Sequence, residues 1–181
     1  KVTLLETEYV PCISWLAAYR SSESVFLLRN ENFVRSSYRN RCDLAGPQGR
    51  LRLSVPLQGG RNAQRQTCDV RISYDTRWTL NHLRTIESAY RRTPFYMYYE
   101  KDIHDFFSQR HSFLMDLNQS AVMMLLRMLN LPDKFQDAED TSQPSNYFKP
   151  LFSPVMEQQS NYSPYLQPFQ ERQGFLSGLS I

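Results

Sequence analysis

The spacing of apolar residues changes near residue 75. Before that point they form short runs or alternate with polar ones; from 76 to about 131 they recur at helical spacing. Val2-Thr3-Leu4-Leu5 reads as a buried strand. Pro11 suits the start of a helix, because its missing N–H costs nothing there. Residues 12–20 then predict one or two helical turns, with Ile13, Leu16, Ala17 and Tyr19 inward. Val25-Phe26-Leu27-Leu28 predicts a second buried strand, and strand, helix, strand makes a βαβ unit with a right-handed crossover.

An antiparallel meander is expected next. Its strands are residues 39–44, 51–55 and 69–73, the last two alternating with period 2. Gly46-Pro47-Gln48-Gly49 is a turn, Pro56 ends a strand, and residues 58–67 read as a mobile surface loop. Three helices follow. The first is capped by Asp75 or Thr76, faces inward through Trp78, Leu80, Leu83, Ile86 and Tyr90, and stops at Pro94. The second covers 99–111, with Ile103, Phe106 and Phe107 inward. The third covers 119–129, capped by Asn118 and closed by Pro132. Residues 132–181 hold many prolines, tyrosines and phenylalanines, and predict an extended tail packed along the domain. The expected fold is α+β in a single domain over 1–181. A mixed sheet comes from the N-terminal half, 1–75, and helices come mainly from the C-terminal half.

Composition sets the outer limits. The chain has 181 residues, 41% hydrophobic and 13% aromatic, enough for a packed core and too much for a disordered chain. The longest aliphatic run is Ala121 to Leu126, far short of the ~20 residues of a membrane span. No signal peptide is read at the N-terminus. Cys12, Cys42 and Cys68 are odd in number and widely spaced, which points to free thiols in a reducing cytoplasm. No Rossmann, P-loop or nucleophile-elbow motif occurs. His82, His104 and His111 are too scattered for a metal motif, so no metal is expected, and no cofactor is indicated.

Charge adds one clear signal. Net charge is only +3, yet residues 20–71 hold ten arginines, four acids and no lysine. Arginine grips phosphate or carboxylate with two prongs, so an anionic small molecule is the expected partner. A solvated basic face is the plainer alternative. Nucleic acid is disfavoured, because neither a lysine stripe nor an RNA-binding aromatic motif appears. Arg39 and Arg41 would share a strand face and repel unless an anion lay between them, or unless Asp69, Asp43 or Glu31 paired with them. His82 is the best acid/base candidate: early in a helix, its pKa should fall and favour neutral imidazole. A half-buried structural histidine is the competing reading.

Several segments together resemble the WbqC-like protein family. They are Tyr9-x-Pro11, Tyr38-Arg39-Asn40-Arg41-Cys42, Leu53-Ser54-Val55-Pro56 and Val70-x-Ile72-Ser73-Tyr74-Asp75-x-x-Trp78. His82-x-x-x-Ile86-Glu87-Ser88-Ala89-Tyr90-x-x-x-Pro94-Phe95-x-x-Tyr98-Tyr99 follows. The resemblance spans residues 2–131, and Leu179-Ser180-Ile181 resembles the family's closing segment. It implies a bacterial, cytoplasmic protein of surface-polysaccharide (O-antigen-type) biosynthesis. Acyl or aminoacyl transfer to an amino sugar would be its reaction, with a sugar nucleotide or acyl donor as ligand. The matching positions place His82 and Asn40 as catalytic, as base and oxyanion donor. Arg41, Tyr9, Trp78 and Tyr90 then bind substrate. A non-catalytic sugar-nucleotide or protein-binding module is the alternative, with Tyr9, Trp15, Trp78 and Tyr90 as stacking surfaces. Glu6-Thr7-Glu8 departs from the polar glutamine many members carry before Tyr-x-Pro. Cys42, beside Arg41, is a minor nucleophile candidate through a lowered pKa.

Overall fold

β1 (Val2–Glu6) and β2 (Ser24–Leu28) pair in parallel, Val2 opposite Ser24 and Glu6 opposite Leu28, with α1 (Ile13–Ser21) crossing between them. The βαβ unit is therefore present at the expected place. The computed structural model describes residues 2–35, 37–59 and 65–136, with Gln167, Glu171, Leu176 and Leu179. Residues 134–136 run along the free edge of β2, where Val25 donates to the Lys134 carbonyl and accepts from the Gln136 amide, each at 2.9 Å.

α1 buries Trp15, Leu16 and Tyr19, and leaves Ala17 exposed, against expectation. The aromatic pair decides the rotation. Trp15 stacks on Tyr19 with centroids 5.6 Å apart, and its Nε1 donates to the Glu6 carbonyl. The Tyr19 hydroxyl donates to the Pro132 carbonyl and accepts from the Lys134 amide, tying α1 to the chain beyond the last helix.

β3 (Arg41–Gly46) and β4 (Gly49–Ser54) form a separate antiparallel hairpin over Pro47-Gln48. Gly49 has φ of 114°, which favours glycine, and a Cβ on Gly46 would lie 2.5 Å from Leu51 Cγ. β3 begins at Arg41 rather than at 39, because Arg39 is turned away to bind two carboxylates. The strand expected over 69–73 is absent. Thr67–Asp69 forms a short 3-10 turn, and the next residues make only single bridges, Leu57 to Ile72 and Arg71 to Phe113. Neighbours clamp this segment from both sides. Ser73 donates to the Pro56 carbonyl and Ile72 to the Ser112 carbonyl. Pro56 has no N–H to return, so no ladder grows. Val70 and Ile72 are still buried, which is what the alternation registered. Of the 58–67 loop, residues 60–64 lie outside the described residues; Phe33 donates to the Arg65 carbonyl and holds its far end.

The helices are α2 (Trp78–Tyr90), α3 (Tyr96–Ser108) and α4 (Leu114–Met128). The α+β class holds, with strands in the N-terminal half and helices mainly in the C-terminal half. Neither Asp75 nor Thr76 caps α2; Asp75 instead closes a tight turn with Ser73. Leu80 on α2 is exposed. α4 starts five residues earlier than expected, so Asn118 is no cap. It lies inside the helix, fully buried, and donates to the Arg39 carbonyl at 2.8 Å. α4 supplies nine buried residues and is the central wall of the core. Among the described residues no helix is long and apolar enough to cross a membrane. The extended-tail expectation falls mostly outside the described residues.

Candidate functional site

Five of the six residues singled out in the sequence come together where the β3–β4 hairpin meets the N-terminal half of α2. Arg41 and Ser54 face each other across the hairpin, and Asn40 exchanges bonds with Val55 through its side chain and backbone. His82 Nδ1 shares a hydrogen bond with the Tyr9 hydroxyl at 3.0 Å. The backbone of Ser54 lies beside the same ring. Trp78, one turn earlier on α2, meets both rings, 5.2 Å from His82 and 6.5 Å from Tyr9 between centroids. Tyr9, fully buried, reaches this place because its amide donates to the Tyr38 carbonyl.

Burial of His82 lowers its pKa from 6.5 to about 4, against a smaller opposing effect of the Ser54 bond. The direction agrees with expectation, but the cause is desolvation rather than the helix terminus. The imidazole is neutral at pH 7. Burial also raises the Tyr9 phenol well above its ordinary value. Cys42 is no activated nucleophile. Burial, and then the charge of Asp43, push its thiol up, so it is a protonated core residue.

Strand alternation splits the hairpin into two faces. Cys42, Leu44, Leu51 and Leu53 form the apolar face. Arg41, Asp43, Arg50, Arg52 and Ser54 form the polar one. Buried Asp43 accepts from Arg50 at 3.0 Å and from Arg52 at 2.7 and 2.9 Å, and the two arginines hold its carboxyl below the usual range against the cost of burial. Three arginines thus face one acid. Arg39, by contrast, is satisfied: Glu31 and Glu6 both bind it, each at 3.1 Å through one of its nitrogens. The two arginines expected to repel have separate fates. Among the described residues Arg41 has no ion pair, and its Nε is buried without a protein partner. Trp78 Nε1 and Asn40 Oδ1 share that condition. Buried polar atoms left unpaired are few in folded proteins and mark places where another molecule can bond.

Tyr90 stands apart. It lines a cavity of about 410 Å³ with apolar walls between α2, α3 and α4, shared with Ile86, Phe107, Met124 and Leu125. Phe107 joins the two regions, since its edge meets His82 at 6.3 Å. The departure at Glu6-Thr7-Glu8 has a local explanation as well. Glu6 binds Arg39, and Glu8 accepts the amide of Cys12 at the start of α1.

One cluster escaped the sequence reading. Glu87, Glu100 and His104 bring ligand atoms within 4.8 Å of one another, a set able to hold a metal ion, and His104 Nε2 lies 2.9 Å from Glu87. The Glu100-x-x-x-His104 spacing was visible; the third member comes from another helix. The Glu87–His104 pair accounts for the contact without a metal.

No curated protein and no solved structure matches the chain. The model of the WbqC-like protein family matches residues 7–152, which include Tyr9, Asn40, Arg41, Trp78, His82 and Tyr90, and on that match the chain belongs to the WbqC-like protein family.

Proposed function

We propose that this chain works in bacterial surface-polysaccharide (O-antigen-type) biosynthesis by binding an anionic sugar donor, a sugar nucleotide, at the Arg41 face of the hairpin. The observation that carries the reading is Arg41. Its charge has no partner among the described residues, while Asp43 already serves Arg50 and Arg52. A diphosphate would complete that face, with Trp78 Nε1 as a further unspent donor, while Asn40 Oδ1, an acceptor, would suit a sugar hydroxyl.

Acyl or aminoacyl transfer to an amino sugar is the reaction we assign to the neighbouring pair. The amine would attack the acyl carbonyl, and His82 Nδ1 would take its proton once the Tyr9 hydroxyl swings aside; collapse of the tetrahedral intermediate would then break the bond between the acyl group and its carrier, which leaves with that proton. Asn40 would donate to the oxyanion through its amide N–H. The alternative of a non-catalytic binding module is favoured by a specific feature: His82 is buried with its Nδ1 held by the Tyr9 hydroxyl, and Cys42 is inert.

Calorimetric titration with a UDP-amino sugar tests the reading. Binding is expected, weakening as salt rises. No heat with any sugar nucleotide would contradict it. Incubating the complex with an acyl donor then separates the two readings: N-acylated sugar that disappears in His82→Gln supports the transferase, and binding with no product under any donor supports the module.

A further inference from the structure

The α2–α3 turn and the first turn of α3 present apolar side chains that nothing in the described structure covers. Phe95, Met97 and Tyr98 are 68%, 72% and 70% exposed, and Leu129, just past α4, is 40% exposed. Phe95 and Leu129 also line the apolar cavity, so the patch adjoins it. Arg91 and Arg92 precede the patch. Both are exposed, and neither has an ion pair among the described residues. From Ser88 to Tyr99 the chain has no acidic residue. Arg127, exposed in the last turn of α4, adds a third cation beside Leu129.

Apolar residues that are aromatic or flexible, with arginines beside them, make a pattern that matches one kind of partner. Tyrosine and phenylalanine settle at the headgroup level of a bilayer, and arginine is drawn to anionic headgroups. A second copy of the chain fits poorly, because a two-fold contact through this patch would bring Arg91 and Arg92 of both copies together. We propose that the α2–α3 turn is a membrane-docking surface: Phe95, Met97 and Tyr98 enter the headgroup region of an anionic bilayer, and Arg91 and Arg92 take its phosphates. The cavity then lies beside the lipid. This proposal does not rest on the Arg41 reading, which survives if it fails.

Flotation of the full chain with phosphatidylcholine vesicles, with and without phosphatidylglycerol, tests it. The wild type should float with the anionic vesicles, less so as salt rises. Each arginine near such a surface is worth a factor of about five, so Arg91→Gln/Arg92→Gln should lower partitioning about 25-fold. Phe95→Ser/Met97→Ser/Tyr98→Ser should abolish it with an unchanged melting temperature, since all three side chains are exposed. A wild type that stays with the unbound fraction would overturn the proposal, as would a triple variant that floats normally. So would a concentration-dependent dimer, lost in the triple variant, from a protein that ignores vesicles.

Discussion

Trp15→Ala should remove about 3–5 kcal/mol of stability, the usual range for deleting a buried aromatic side chain. Domains of this size hold only about 5–15 kcal/mol in total. The residue has no exposed surface, and three interactions converge on it. Its ring stacks on Tyr19, its Nε1 bonds the last residue of β1, and through Tyr19 it reaches Pro132 and Lys134. One substitution thus loosens the βαβ unit and its link to the chain beyond α4. A shift of about 2–4 °C per kcal/mol predicts a melting point lower by about 6–20 °C. Trp15→Phe keeps the stacking and loses the hydrogen bond, so about 1–2 kcal/mol is expected. Denaturant unfolding followed by circular dichroism reads both. A Trp15→Ala loss under about 1 kcal/mol would show that α1 is not the anchor described above.

The second large effect is acid destabilisation through His82. Its pKa is about 4 when folded and 6.5 when unfolded. Between those values the unfolded chain binds more protons, so acid favours unfolding. The neutral, buried ring contributes its full stability above about pH 6.5. That contribution falls away as pH drops toward 4 and is gone below. The difference corresponds to roughly 3 kcal/mol. Gln at this position can still bond the Tyr9 hydroxyl, but it does not titrate. Stability curves of the wild type and His82→Gln should therefore run level above about pH 6.5 and separate as the pH falls toward 4, the wild type losing more. Parallel curves across that window would mean that His82 is solvated and titrates alike in the folded and unfolded chain.

Local pattern carried the elements well and their ends poorly. The hairpin turn was legible because Gly46 and Gly49 meet conditions that other residues do not. The 69–73 segment was misread because alternation reports burial on one side, and Val70 and Ile72 are buried without a ladder. Asn118 carries the chemistry of a helix cap, yet its amide is spent on the Arg39 carbonyl, 79 residues away in sequence. No spacing rule reaches that far. The same limit applies to the candidate site. Tyr9 and His82 lie 73 residues apart, and only the ordered family motifs placed them in one group. That resemblance covered the residues which converge, but it did not separate Tyr90, which lies on the cavity side of α2. The different fates of Arg39 and Arg41 are likewise hidden from the sequence, because alternation does not show that the strand begins only at Arg41.

Arg41→Lys tests the central claim most directly. A lysine keeps the charge but cannot reproduce the two-pronged grip on a phosphate. Titration of a sugar nucleotide into both proteins, with melting curves recorded alongside, gives the answer. Losing a charge-assisted bond costs about 1.5–3 kcal/mol, so the dissociation constant should rise between about tenfold and a hundredfold while the melting temperature stays put. Unchanged affinity with a strongly lowered melting temperature would make Arg41 a structural residue of the hairpin and contradict its assignment as the ligand anchor.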